Sequence, residues 1–257
     1  MNNYKPYPVT YNKEHYTVMA NDIIKGKQEM TLQEARIVRL LVTQVVKQDK
    51  DLKTYTCRIQ DLAKFIGIDS SNLYKGIQKF CSDLLGLQVR VGTGNPKEPW
   101  EIFQWIQLAK YDGKGNLTLM LSNQIKPYVV ELDKWFTQYQ LCNILAMQSF
   151  YSIRLYELIK CQDGVTRTEK NYHEFTIEYL REYFCCEKKY QRISQFKEKV
   201  IEIAVKEINK KSDMRINPVE YIKTSRAITS VRFFVHLNYN QLQLAGKINL
   251  FGDSDTK

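Results

Sequence analysis

The sequence predicts an α+β fold built as two tandem domains, each a helix-turn-helix followed by a β-hairpin. Three observations carry this prediction. Stretches with apolar residues at steps of three and four alternate with short strand-like runs. The order long helix, short helix, turn, long helix, hairpin occurs twice. The period of that repetition is near half of the 257 residues, far too long for a solenoid unit. A helix-turn-helix with a hairpin wing is a winged helix, so the expectation is two winged-helix domains, residues 1–139 and 140–241. Residues 242–257, poor in apolar periodicity, are expected to form a flexible tail.

The first domain opens on Thr31-Leu32-Gln33-Glu34, a capping-box pattern in which the Thr31 hydroxyl and Glu34 carboxylate satisfy backbone N–H groups of the first turn. Ala35, Val38, Leu41, Val42 and Val45 continue it as a helix that ends in the polar run Lys47–Lys53. Ile59, Leu62, Ala63 and Ile66 share one face of a second, shorter helix, which Gly67-Ile68-Asp69 interrupts. A third helix starts at Ser70 or Ser71, with Leu73, Ile77, Phe80 and Leu84 as its buried stripe. Leu87–Val91, Ile102–Leu108 and Leu117–Leu121 read as strands. The segments between them, Gly92–Pro99 and Asp112-Gly113-Lys114-Gly115-Asn116, read as loops.

In the second domain Ser149–Cys161 is helical, with Tyr151, Leu155, Leu158 and Ile159 near one face. Thr176–Phe184 is a short helix and Cys185–Tyr190 a turn. Ser194 is expected to cap a long helix whose inner positions are Ile193, Phe196, Val200, Ile203, Ala204 and Ile208. Met214–Tyr221 and Val231–Leu237 form the hairpin, with Lys223-Thr224-Ser225-Arg226 between them.

Composition narrows the function classes. With 44% apolar and 26% charged residues the chain can bury a core. Its apolar runs of three or four residues fall far short of the ~20 a membrane helix needs, and Met1–Lys13 lacks the apolar segment of a secretory signal. A cytoplasmic protein without a membrane partner is expected. The six cysteines, at 57, 81, 142, 161, 185 and 186, form no C-x-x-C pair, and the vicinal pair Cys185-Cys186 reads as two reduced thiols in a turn. No phosphate-loop pattern occurs, and His15, His173 and His236 have no paired spacing, so no catalytic residue, metal or cofactor is expected. The stripe Trp100, Phe103, Trp105 and Tyr111 reads as packing rather than as a base-stacking platform. Each half carries 19 basic and 14 acidic residues, a net of +5. An evenly basic chain suits a polyanionic partner, because a positive surface releases counterions from phosphates.

The stretch from Leu121-Ser-Asn-Gln-Ile-Lys-Pro-Tyr through Phe136-Thr-Gln-Tyr-Gln-Leu141 to Ser149-Phe-Tyr-Ser-Ile-Arg-Leu-Tyr-Glu-Leu-Ile-Lys160 resembles the initiator Rep family of iteron-binding plasmid replication proteins. Phe196–Asn209 resembles that family's second recognition helix. The resemblance runs from about Asn21 to Leu237. It implies binding to directly repeated duplex DNA at a plasmid origin, origin opening with a host initiator and a replicative helicase, and repression of the protein's own gene by a dimer in equilibrium with monomer. A winged-helix transcriptional regulator without a replication role needs the same surfaces and is the alternative.

In a winged helix the second helix of the motif enters the major groove, where its polar residues read base edges while basic neighbours grip phosphates. In the second domain this nominates Arg192, Ser194, Gln195, Lys197 and Lys199, although Glu198 and Glu202 on the same helix also fit an ordinary solvated face. In the first domain it nominates Ser70, Ser71, Asn72, Lys75, Gln78 and Lys79. Lys223 and Arg226 are the phosphate contacts expected from the second wing. The apolar hairpin Ile102, Phe103, Trp105, Ile106 and Leu108 is expected to carry dimerisation of the first domain, while the second domain is expected to be the principal DNA reader.

Overall fold

A computed structural model describes residues 6–92, 95, 97–163 and 172–238. The expected tail, 242–257, and Thr93, Gly94 and Pro96 of the first expected loop lie outside these residues. The chain divides into two units, one running to Leu141 and taking in Tyr183–Cys185, the other holding Cys142–Glu182 and the chain from Cys186 onward.

In the first unit α2 (Leu32–Val42) begins as the sequence requires. The Glu34 amide donates to Thr31 Oγ1 at 3.3 Å and the Thr31 amide to Glu34 Oε2 at 2.7 Å. The helix stops at Val42, so Val45 lies beyond it. Before it come β1 (Tyr7–Pro8), β2 (Tyr16–Ala20), α1 (Asn21–Lys25) and β3 (Lys27–Gln28), none of which periodicity announces. After it, β4 (Thr54–Arg58) leads into α3 (Ile59–Ile66), whose buried residues are the predicted Ile59, Leu62, Ala63 and Ile66. Gly67 ends that helix at φ 79°, and Arg36 Nη1 donates to the last carbonyl, Ile66 O, at 2.5 Å.

The predicted third helix is two: α4 (Ser70–Lys75) and α5 (Ile77–Leu85), separated at Gly76. Of its expected stripe Leu73 and Leu84 are buried, whereas Ile77 and Phe80 are only half-buried. Then follow β5 (Gln88–Gly92), β6 (Trp100–Gln104), β7 (Ile106–Tyr111) and β8 (Asn116–Leu121). The single strand expected over Ile102–Leu108 is therefore two strands in two sheets, ordered β3-β5-β6 and β1-β4-β8-β7. The break is Trp105, fully buried beneath the Arg39 guanidinium at 5.6 Å. Its amide donates to Leu87 O at 2.9 Å, and its carbonyl accepts from the Ser122 amide at 2.9 Å. The wing is thus β7–β8, and β5–β6 is an added hairpin. A short turn, Asn123–Ile125, and α6 (Lys126–Val129) precede β9 (Phe136–Gln140), which pairs with β2.

In the second unit α7 (Cys142–Leu145) precedes α8 (Phe150–Asp163). The sequence predicts one buried face for α8, but every residue from Ser152 to Ile159 is buried, including the ion pair Arg154–Glu157 at 3.5 Å. The helix runs through the core, and its two opposite charges, three residues apart, make that burial possible. A strand the sequence does not announce, β10 (Tyr172–Thr176), leads into α9 (Ile177–Tyr183). The long helix begins as α10 (Ile193–Phe196), continues through a π-helical segment (Lys197–Glu202) and ends as α11 (Ile203–Lys211). Its N-cap is Arg192, with no side-chain capping bond, so Ser194 lies inside the first turn and does not cap it. β11 (Met214–Thr224) and β12 (Ala227–Leu237) are longer than predicted, which puts Lys223 in a strand and Arg226 in the two-residue tip.

Setting aside β1 and the added hairpin, and taking α4–α5 and α10–α11 each as one helix, the winged core of both units reads helix, strand, helix, helix, strand, strand. Its sheet order is also shared, β4-β8-β7 in one and β10-β12-β11 in the other. Both units are winged helices.

Candidate nucleic-acid interface

In the first unit the exposed start of the recognition helix is shaped by Asp69. This N-cap carboxylate accepts from the Asn72 amide at 3.0 Å and from Ser71 Oγ at 2.5 Å. The Ser71 hydroxyl first, and the Asn72 amide after it, hold the Asp69 carboxyl below the usual carboxylate range. Ser71 is thus engaged in the cap, and Ser70 beside it is half-buried. Asn72, Lys75 and Gln78 are exposed, and Lys79 is ion-paired with Asp83 at 2.6 Å.

The wing of this unit reaches the same helix. At its tip the Asp112 carboxylate accepts from Asn116 Nδ2 at 2.6 Å, the Asn116 amide at 3.0 Å and the Lys114 amide at 2.7 Å. Those bonds, the Asn116 side chain foremost, hold its carboxyl down at about 2. Gly115 has φ 94°, and a Cβ there would lie 2.8 Å from the Tyr74 hydroxyl, so the tip stands against α4. Lys110 and Lys114 are exposed on this wing. The sequence reading passed over them, although two glycines flanking a lysine in a hairpin tip were the available signal.

In the second unit Arg192, Ser194 and Gln195 are exposed at the helix start. Lys197 is half-buried, with Nζ 4.0 Å from the centre of the Tyr221 ring on β11. Burial, with Glu202 nearby, pushes the Tyr221 hydroxyl up to about 12. Lys199 is exposed and paired with Glu198 at 2.6 Å, a contact that raises its ammonium pKa. Lys223 and Arg226 are exposed at the end of the hairpin. The wing of each unit therefore meets its own recognition helix, through Tyr74 in one and Tyr221 in the other.

Arg181, at the end of α9, was not anticipated. Its Nη1 donates to Lys189 O at 3.3 Å and Tyr190 O at 3.0 Å, its Nη2 donates to Gln191 O at 3.2 Å, and its guanidinium lies 4.5 Å from the Phe196 ring centre. A basic residue in the last turn of the helix before a recognition helix is the only sequence trace of this role.

Cys185 and Cys186 are not joined in a disulfide. Among the described residues no group of three or more His, Cys, Asp or Glu could hold a metal ion, and no helix is long and apolar enough to cross a membrane.

The chain is similar to known proteins. Residues 16–160 match the family described as Initiator Replication protein, WH1, and residues 176–235 match Initiator Rep protein, WH2. A replication initiation protein of Escherichia coli is 25% identical over 201 residues, which make up 77% of this chain and 63% of that protein. The chain thus spans less than two thirds of that relative's length. A crystal structure of Pi initiator protein in complex with iteron DNA has a TM-score of 0.65 at 23% identity, covering 87% of this chain and 98% of that one. This last likeness is one of fold.

Proposed function

This chain belongs to the initiator Rep protein family, and from that premise we propose that it is a plasmid replication initiator that binds directly repeated duplex DNA at a replication origin. The observation that carries the reading is the pairing, in each of two winged helices, of an exposed polar helix start with a basic wing. Asn72, Lys75 and Gln78 stand with Lys110 and Lys114 in one, and Arg192, Ser194 and Gln195 with Lys223 and Arg226 in the other. Polar side chains at the start of a helix suit base edges, and wing lysines and arginines suit phosphates. The iteron DNA bound by the Pi initiator is a ligand of the same class.

On this reading the protein acts in the cytoplasm by binding, with a host initiator and helicase, and neither cuts DNA nor hydrolyses nucleotides. Mobility shifts compare a duplex carrying direct repeats with a random duplex of equal length. A marked preference for the repeats is expected, and equal affinity would refute the reading. Metal-dependent nicking of a supercoiled origin plasmid, abolished by one tyrosine substitution, would refute its non-enzymatic part.

The same proposal includes a homodimer in equilibrium with monomer. Phe103, Trp105 and Ile106 belong to the core, but Trp100 is 56% and Ile102 49% exposed on β6, the edge strand of its sheet. An exposed apolar edge suits pairing with a second copy about a two-fold axis. Sedimentation of Ile102→Lys is expected to show monomer at concentrations where the unmodified chain is dimeric.

A further inference from the structure

We infer that Arg181 is a positioning residue for base readout, fixing where Arg192, Ser194 and Gln195 stand without itself touching DNA. The inference rests on the DNA-binding reading given above. Three features of the second unit meet at this side chain.

The first is the turn between α9 and the long helix. Tyr190 sits at φ 53°, a left-handed conformation that a residue with a Cβ adopts at a cost, so this end of the turn needs support. Arg181 supplies it: its planar fork meets the carbonyls of Lys189, Tyr190 and Gln191, the three residues leading to the N-cap Arg192. The second is Phe196, the fully buried residue that anchors the first turn, on whose ring the same guanidinium lies.

The third is the π-helical segment that begins at Lys197, directly after Phe196. In a regular α-helix the i→i+4 ladder would hold the first turn in line with the rest of the helix. Here that ladder gives way to the wider i→i+5 bonds of a π-helical segment between the reading turn and α11, so lateral contacts join the backbone in setting the direction of the first turn. Two such contacts are present on either side of the junction, Arg181 with Phe196 and Lys197 with Tyr221. Lysine at position 181 would keep the charge and could reach one carbonyl, but it has neither the fork nor the flat face.

The test first selects duplexes from a randomised pool with the unmodified full chain. R181K and the unmodified chain are then titrated on the selected duplex and on a scrambled duplex of the same composition. Because the phosphate-facing wing residues are untouched, affinity for the scrambled duplex should hold, while the ratio of selected to scrambled affinity should fall about tenfold. A folded R181K with an unchanged ratio, or with both affinities falling in parallel, overturns the inference and leaves the DNA-binding reading intact. An unmodified chain that enriches no sequence overturns both. Should R181K melt too low to titrate under these conditions, the same titrations of both chains at a temperature below its melting transition decide by the same ratio.

Discussion

Glu207 joins the recognition helix to the helix behind it. Its carboxylate accepts from the Gln148 amide at 3.0 and 2.9 Å and from the Ser149 amide at 3.1 Å, and so caps the start of α8. Burial raises its pKa, but the hydrogen bonds it accepts, from Gln148 and Lys211 among them, outweigh burial and leave it lowered. A carboxyl whose pKa is lower folded than unfolded contributes stability above its unfolded pKa, and that contribution is lost as pH falls through the folded one. The second unit should therefore lose stability in acid below the ordinary glutamate range. Glu207→Gln should remove about 1–3 kcal/mol at neutral pH and flatten that part of the acid limb, as urea titrations at a series of pH values would show. Gly115→Ala is the corresponding test in the first unit. At φ 94° any side chain is strained, so urea unfolding should show a loss of about 1–2 kcal/mol.

Among the elements, the broken helix α4–α5 gives the clearest prediction. A Cβ on Gly76 would meet only Asn72 O at 3.5 Å, and its φ of −104° is open to any residue. Gly76→Ala should therefore be neutral or stabilise by about 0.5–1 kcal/mol in thermal melts; a loss larger than that would show the break to be imposed by packing. The interruption was hard to read because Gly76 falls inside an otherwise continuous 3.6-residue pattern. Signals confined to a few neighbouring residues were legible: the box at Thr31 and Glu34, the stripe of α3, and the interruption at Gly67. Elements fixed by distant partners were not. β3 is two residues long and exists through its pairing with β5, and β10 exists through β12. Arg154 and Glu157 made α8 look half-solvated, since a pattern of polar residues cannot tell a charge facing water from one facing its partner. Of the candidate site, the exposed positions were legible as residue types, whereas the tasks of Ser71, Lys79, Lys197 and Lys199 depend on contacts that only the fold reveals.

For the whole molecule, the net charge of +10 is divided evenly between the halves, so both units can contact phosphates and binding should depend on salt. Each phosphate contact contributes a slope of about 0.9 in log affinity against log salt, so two engaged units should give a steep line. Lys223→Ala and Arg226→Ala should each lower that slope by about 1 and weaken selected and scrambled duplexes alike, in contrast to R181K. The shared strand order, β4-β8-β7 and β10-β12-β11, also bears on descent. If each unit reads its own stretch of bases, a lineage can alter one stretch and its matching helix while the other keeps the protein attached. New origin addresses would then arise in two survivable steps, and two replicons recently parted from a common ancestor should cross-recognise through one unit before they cease to recognise each other at all.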